Sequence, residues 1–318
     1  MKRIRLGRTE IEVTPVGLGC WQLSSGLRDG KGYWSTVAQE TANEIVAKAL
    51  AGGINWFDTA EFYGGGRSEQ ALSKALQAAG IRPGAVRVAT KWNPFFRTAG
   101  SIGTTIGERL RRLSPYPIDL HQVHQPMGFS SVEAEMQAMA ALVEAKKIGA
   151  VGVSNFNESR MRRAHAALQR LGRPLASNQV RYSLLHRKIE RNGVLKAAKE
   201  LGITIIAYSP LEQGVLTGRF HDDPGSVQRL QGPRKFRHAF RHLGQSRPLV
   251  DELRAVARAH DASPAQVALA WMTQFHGDTV VVIPGATSAR QIADSVGSQQ
   301  FVLSRAELDA IDERAREF

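Results

Sequence analysis

Four residues whose side chains move protons stand at the ends of three successive β-like runs. Asp58 and Tyr63 follow Ile54-Asn55-Trp56-Phe57, Lys91 follows Val86 to Thr90, and His124 follows the run Ile118 to Val123. Asp, Lys and His are expensive to desolvate at strand ends unless they pair with one another. A lysine beside a phenol stabilises the phenolate and lowers the tyrosine pKa from about 10. Asp58 is suited to hold Lys91 charged and in place, and His124 to hydrogen-bond the same oxyanion region and orient a carbonyl. Tyr63 would then serve as a general acid for reduction and as a general base for the reverse oxidation. The hydride has to come from a bound cofactor, because no side chain supplies one.

Singly, these signals are weak. A tyrosine before Gly64-Gly65-Gly66 also suits a turn, and a strand-end Asp or Lys also suits a structural ion pair. Their joint order on successive strands is what points to chemistry. A glycosidase built on Asp58 and Glu61 is the carboxylate alternative. It leaves Lys91, His124 and the polar set Ser154, Asn155, Gln179 and Tyr208 without a role.

The elements that must position these residues form an alternation. Short β-branched runs recur at Val16–Gly19, Ile54–Phe57, Val86–Ala89, Ile118–Val123, Ala150–Val153, Ala176–Val180, Ile203–Ala207 and Thr279–Ile283. Helix-period segments separate them, for example Ile102, Ile106, Leu110 and Leu113, and a stretch over about 131–147. Several are followed by glycine (Gly149, Gly172, Gly202, Gly277), as helix C-termini prefer. Eight such units predict an α/β fold, a (β/α)₈ TIM barrel with one domain over residues 1–318. A doubly wound sheet fits less well, since Gly17-Leu18-Gly19-Cys20-Trp21-Gln22 lacks the third glycine of a dinucleotide fingerprint. Lys2 to Leu6 and Ile11 to Thr14 read as an N-terminal β-hairpin plugging the barrel bottom. In a barrel, active sites lie at the C-terminal strand ends. Here those ends carry Asp58 to Gly64, Thr90-Lys91-Trp92, His124-Gln125-Pro126, Ser154-Asn155, Tyr208 to Leu211 and Pro284-Gly285-Ala286, with Asn178-Gln179 within the sixth strand.

Composition sets the outer bounds. The chain has 318 residues, 42% hydrophobic and 22% charged, ordinary for a folded protein. A single cysteine, Cys20, excludes an intrachain disulfide and any multi-cysteine metal site. No stretch approaches the roughly 20 apolar residues of a membrane span, and the N-terminus lacks the apolar region of a signal peptide. A cytoplasmic location and no membrane partner are expected. The net charge of +13 and pI near 10.3 are spread over helices (Arg109, Arg111, Arg112; Arg160, Arg162, Arg163) and one long loop. No nucleic-acid module is visible, so the charge reads as a solvated basic surface that favours anionic ligands.

With these motifs in view, the sequence resembles the aldo-keto reductase family over nearly its whole length. The resemblance is carried by Gly53 to Gly64, Ala89-Thr90-Lys91, Ile118 to Pro126, Gly152 to Phe156 and Ala207 to Leu211, in the family's order. Leu216-Thr217-Gly218 is most similar to the bacterial, plant and potassium-channel β-subunit branch. The resemblance implies a single (β/α)₈ domain, NADP as cofactor and a small-molecule carbonyl substrate. A monomer is the family-level expectation. Ser154, Asn155 and Gln179 would hold the nicotinamide carboxamide, with Trp21 also at the cofactor and Tyr208 stacked on the ring. Ser209, Pro210, Leu211, Gln213 and Gly214 would lie near the pyrophosphate. Pro284, Gly285, Ala286, Arg290, Gln291 and Asp294 would meet the adenosine phosphate and adenine.

Two places depart from the family pattern. Thr287-Ser288 stand where a cation often meets the 2′-phosphate, leaving Arg290 as the nearest one, and Asp294-Ser295 replace the usual Glu/Asn pair. His124 suits an aldehyde or ketone rather than a C=C bond. Trp21, Trp34, Trp92, Phe95 and Phe96 are candidates to wall an apolar pocket, and His221 to Arg247 reads as a cation-bearing lid. The alternative function is a nucleotide-binding regulatory subunit with little turnover.

Overall fold

The computed structural model of the chain describes residues 2–24, 37–230, 240, 243–316 and 318. Strands β1 (Ile4–Arg5) and β2 (Glu12–Val13) pair antiparallel as the expected hairpin. Eight further strands follow: β3 (Leu18–Gly19), β4 (Trp56–Asp58), β5 (Arg87–Trp92), β6 (Leu120–Val123), β7 (Ala150–Ser154), β8 (Leu175–Arg181), β9 (Thr204–Tyr208) and β10 (Val280–Ile283). They lie parallel in sequence order. Bridges from Val16 to Val282 and Gly19 to Gly285 bring the last strand against the first. The result is a nearly closed barrel, as the alternation predicts.

Helices run between the strands, among them α1 (Gln39–Ala51), α2 (Arg67–Ala78), α3 (Gly100–Leu113), α4 (Val132–Glu144) and α5 (Glu158–Arg170). Their starts are fixed by short polar caps. Ser131 accepts the Ala134 N–H before α4, and Asn157 accepts that of Arg160 before α5. Gly202 closes the helix Val194–Leu201 at φ 68°, the left-handed region where glycine carries no steric cost. Gly149 does not close α4 as the sequence suggests. That helix stops at Glu144, and Gly149 instead packs against the Asp119 carbonyl.

Inside the barrel, side chains alternate with a period of two. Trp56, Ala89 and Leu120 occupy one internal layer with Ala150, Ala176 and Ile206, and the hairpin residues Ile4, Leu6 and Val13 close this layer from below. Phe57, Val88 and Val123 face the helices instead. One step further along each strand, the inward positions are Asp58, Lys91 and Gln122. The barrel is apolar at its base and polar at its C-terminal end.

The segment His221 to Arg247 is not a simple connection. A short helix Arg219–Asp222 and a 3₁₀ turn Pro224–Arg229 occupy its start, and the helix Leu243–Ala259 begins within its end. Arg234, Lys235, Arg237 and Arg241 of the expected lid lie outside the described residues, as does Trp34. Among the described residues, no helix is long and apolar enough to cross a membrane.

Candidate functional site

Register brings the proton-handling residues together. Asp58 sits beside Ala89, and Lys91 beside Gln122, so the alternation points Asp58, Lys91 and Gln122 inward at the C-terminal end of the apolar layer. The Lys91 ammonium donates to Asp58 Oδ1 at 2.5 Å, to the Thr59 carbonyl at 2.8 Å and to the Tyr63 hydroxyl oxygen at 3.3 Å. Its three protons are thereby committed. The second Asp58 oxygen accepts from Gln179 at 2.8 Å and from Gln122 at 3.2 Å. Lys91 and Asp58 are fully buried, a placement that only such complete pairing makes tolerable. Burial alone would lower the Lys91 pKa. The Asp58 and Tyr63 oxygens outweigh it and leave the pKa raised, so the ammonium persists.

Tyr63 opens a tight turn in which Gly64 and Gly65 take φ of 63° and 66°. A side chain at Gly64 would strike the Ser24 carbonyl, so the turn next to the phenol requires glycine. The phenol ring stacks on Trp21 at 5.9 Å and meets the His124 imidazole edge-on at 5.6 Å. The sequence-based expectation of a lowered tyrosine pKa is not met. Burial raises it, and the opposing pull of Lys91 is too small to reverse the sign. His124 is pushed down to about 3 by burial and by the Lys91 charge, so its imidazole is neutral. Glu61 turns away from Asp58. It accepts the Asn93 N–H at 2.5 Å and pairs with Arg97 and Arg109, which removes the two-carboxylate glycosidase geometry.

These groups open into a cavity of about 760 Å³ at the C-terminal end of the barrel. This lies within the roughly 300–1,000 Å³ usual for small-molecule sites. Asp58, Tyr63 and His124 form its floor, and Lys91 lies just beneath. Ser154, Asn155, Gln179 and Tyr208 line one wall. Ser154 donates to the Gln179 carbonyl at 2.9 Å, Asn155 to Ser154 at 3.1 Å, and the Tyr208 hydroxyl to Asn155 at 3.0 Å. Asn155 and Ser209 both hold positive φ, 61° and 54°. Ser209, Pro210, Leu211, Gln213 and Gly214 continue the wall, and Pro284, Gly285, Gln291 and Asp294 form its far end. Trp21 lines it as expected.

Two residues expected at the nucleotide do not line the cavity. Ala286 is buried in the core, and Arg290 is exposed beyond the rim. Of the expected aromatic wall, Trp21 and Phe95 line the cavity, whereas Trp92 is fully buried in the outer core and Phe96 projects to solvent. Arg181, Arg219, Arg229, Gln22 and Phe62 line it without having been singled out as contacts. Arg181 was accessible from period-two spacing after Gln179, and Phe62 from its place beside Tyr63. Arg229 appeared only as part of the lid, and nothing in the local pattern marked Arg219.

The space fits a nucleotide in its cations and polar groups. Arg219 and Arg229 place two guanidiniums on it, and Gln22 keeps a buried amide oxygen without a protein partner. The sequence profile of the Aldo/keto reductase family matches residues 15–316. The chain belongs to this family. It is 40% identical over 309 residues to an uncharacterized oxidoreductase of Mycobacterium tuberculosis, covering 96% of this chain and 91% of that protein. A probable aldo-keto reductase of Glycine max is 29% identical, over 98% of this chain and 88% of the relative. A thermostable aldo-keto reductase crystallised with the inhibitor epalrestat superposes with a TM-score of 0.78 at 26% identity, covering 99% and 100% of the two chains. A putative 2,5-diketo-D-gluconic acid reductase B, 23% identical with a TM-score of 0.74, covers 99% of this chain and 92% of its own, and shares the fold. As an aldo-keto reductase, the protein is an oxidoreductase of the kind that couples a nicotinamide cofactor to small carbonyl compounds.

Proposed function

We propose that this aldo-keto reductase reduces an aldehyde or ketone to the alcohol with NADPH, as one catalytic domain in which Tyr63 is the proton donor. The observation that carries the reading is the Lys91–Tyr63 contact. Lys91 donates to the phenolic oxygen, so the hydroxyl hydrogen of Tyr63 is left free for an acceptor in the cavity. Burial keeps the phenol protonated at neutral pH, which is the form an acid needs.

Once the proton leaves, the phenolate remains against a committed ammonium that needs no reorganisation to stabilise it. Asp58 keeps that ammonium in place through its 2.5 Å contact. Neutral His124, edge-on to the phenol, offers a ring N–H to the same carbonyl oxygen and so sets its orientation. A bound nicotinamide supplies the hydride. Ser154, Asn155 and Gln179 would hold its carboxamide and Tyr208 its ring, because all four face the floor from one wall. The turn from Ser209 to Gly214 would take the pyrophosphate. Arg219 and Arg229, in place of Arg290, would meet phosphate charge, Arg219 at the pyrophosphate common to both nucleotides and Arg229 at the 2′-phosphate, and only the second contact would favour NADPH over NADH.

The direct test follows NADPH oxidation against a panel of aldehydes and ketones. The proposal expects turnover with some carbonyls and a lower KM for NADPH than for NADH. Turnover of C=C substrates alone, or an inert protein that still binds the nucleotide, would overturn it.

A further inference from the structure

The exposed large apolar side chains are not scattered over this molecule. Trp21, Phe62, Phe95, Phe96, Met127 and Phe129 all lie on the loops that follow β3, β4, β5 and β6, and only Leu171 and Val302 lie elsewhere among the described residues. The cluster starts at the reacting centre. Phe62 meets His124 edge-on at 6.3 Å and reaches Phe95 at 6.3 Å, and both phenylalanines line the cavity. It then continues past the mouth, where Phe96 and Phe129 stand edge to face at 6.2 Å. The two loops are tied by a backbone bond of 3.0 Å from the Phe129 N–H to the Arg97 carbonyl.

Two features set this apron apart from incidental surface. Phe96 is 86% exposed and also holds a φ of 55°, so it pays for a left-handed backbone without any gain from burial. A contiguous exposed apolar patch on a folded protein marks a binding surface. The charges are also divided. Arg181, Arg219 and Arg229 line the cavity, where Arg181 pairs with Glu212 and Arg229 with Asp223, while Arg97 beside the apron pairs with Glu61 and Arg160 donates one N–H to the Pro126 carbonyl. The six apron side chains themselves carry no charge to meet an anionic substituent.

We infer that the substrate is a carbonyl compound with a bulky, uncharged apolar body, which packs between Phe62 and Phe95 and extends onto Phe96 and Phe129. This rests on the carbonyl-reduction reading for the position of the reacting end. Continuity from His124 outward identifies the occupant as the substrate's own body.

The test uses benzaldehyde, 2-naphthaldehyde, biphenyl-4-carbaldehyde and the biphenyl aldehyde bearing a distal carboxylate. The corresponding alcohols are titrated by calorimetry into the protein with NADP⁺. Both kcat/KM and alcohol affinity should rise at least tenfold from one ring to two, and the distal carboxylate should erase the gain. The Phe96→Ser/Phe129→Ser variant should collapse the biphenyl-to-phenyl ratio. No turnover with a preserved affinity gradient would remove the reduction reading and leave the apron standing. Equal affinities across the series would overturn the apron whatever the turnover. So would a dimer, seen by sedimentation, that this variant dissociates without changing the ratio.

Discussion

Glu61 and Arg109 form an ion pair behind the barrel wall, with side-chain exposures of only 6% and 1%. Glu61 belongs to the loop between Asp58, the last residue of β4, and Tyr63, and Arg109 to α3. The same carboxylate accepts the Asn93 N–H and pairs with Arg97. It therefore ties the loop bearing Tyr63 to the loop bearing Phe95. Removing one partner of a buried pair typically costs about 3–5 kcal/mol, and the Arg97 and Asn93 contacts that stay on Glu61 place this pair toward the lower end. Arg109→Leu and Glu61→Gln should each lower stability by about that much, and the double variant should lose clearly less than the sum. Urea unfolding of the four proteins checks this, and strict additivity would contradict the pairing.

Tyr63→Phe removes one oxygen from the floor and leaves the nucleotide wall untouched. Carbonyl reduction should fall by at least about 10²–10⁴-fold, the usual contribution of a general acid. NADPH affinity, measured by quenching of tryptophan fluorescence, should stay within a factor of two to three. Unchanged turnover would remove Tyr63 from its role.

The raised tyrosine pKa gives the two reaction directions opposite pH responses. Reduction needs the protonated phenol, which is present at every pH below that pKa. Its rate should be flat from neutral pH upward and decline only above about 10, the ordinary phenol value. Alcohol oxidation needs the phenolate and should climb over the alkaline range. Because Lys91 is the group pulling the phenol pKa down, Lys91→Met should move both limbs to still higher pH. An inflection near neutral pH in the parent, or an alkaline limb that Lys91→Met leaves in place, would point to a different acid.

Much of this site was legible from the order of its residues. A period of two, applied to Trp56 and Asp58, Ala89 and Lys91, and Leu120 and Gln122, is enough to send one member of each pair to the base and the other to the reactive end. The sign of the Tyr63 shift was not legible, because it depends on how much water the folded cavity excludes. A lysine nearby in sequence order says nothing of that balance. The placement of Arg290 outside the cavity lining was not legible for a similar reason. Its distance along the chain from Pro284 fits a contact, but its position on the helix Ala289–Gly297 sends it outward while Gln291 and Asp294 face the cavity. Trp92 and Phe96 were both expected to wall the pocket and neither lines it: Trp92 follows the inward Lys91 on β5 and so faces the helices, and Phe96 lies in the loop beyond the strand and projects to solvent.

Acid should destabilise the fold through His121. It is fully buried against Arg109, with Glu69 and Glu61 of the same network close by, and burial with the Arg109 charge pushes its pKa down to about 3. The folded pKa lies below the unfolded value of 6.5, so the protein holds the neutral form. That contribution is complete above pH 6.5 and is lost as pH falls toward 3. His124 adds a loss of the same sign. In His121→Phe, the fall in unfolding free energy between pH 6.5 and 4 should be shallower than in the parent. An unaltered slope would locate the acid sensitivity elsewhere.

Cofactor affinity should respond to Arg219 and Arg229, and cofactor preference to Arg229 alone of the two, rather than to Arg290. Arg219 lies over the Phe220 ring at 4.3 Å, which fixes the guanidinium plane at the cavity wall. Arg229 pairs with Asp223 and also lines the wall, though its side chain is 69% exposed. Hydrogen bonds to charged groups contribute about 1.5–3 kcal/mol, and exposure places Arg229 toward or below the lower end. Arg229→Ala should therefore weaken NADPH binding up to about tenfold and NADH binding less, if its partner is the 2′-phosphate. Arg219→Ala should weaken both nucleotides if it meets the pyrophosphate they share. Arg290→Ala should leave both dissociation constants unchanged. Titration of each variant with the two nucleotides separates these outcomes, and loss of NADPH selectivity in Arg290→Ala alone would restore that residue to the site.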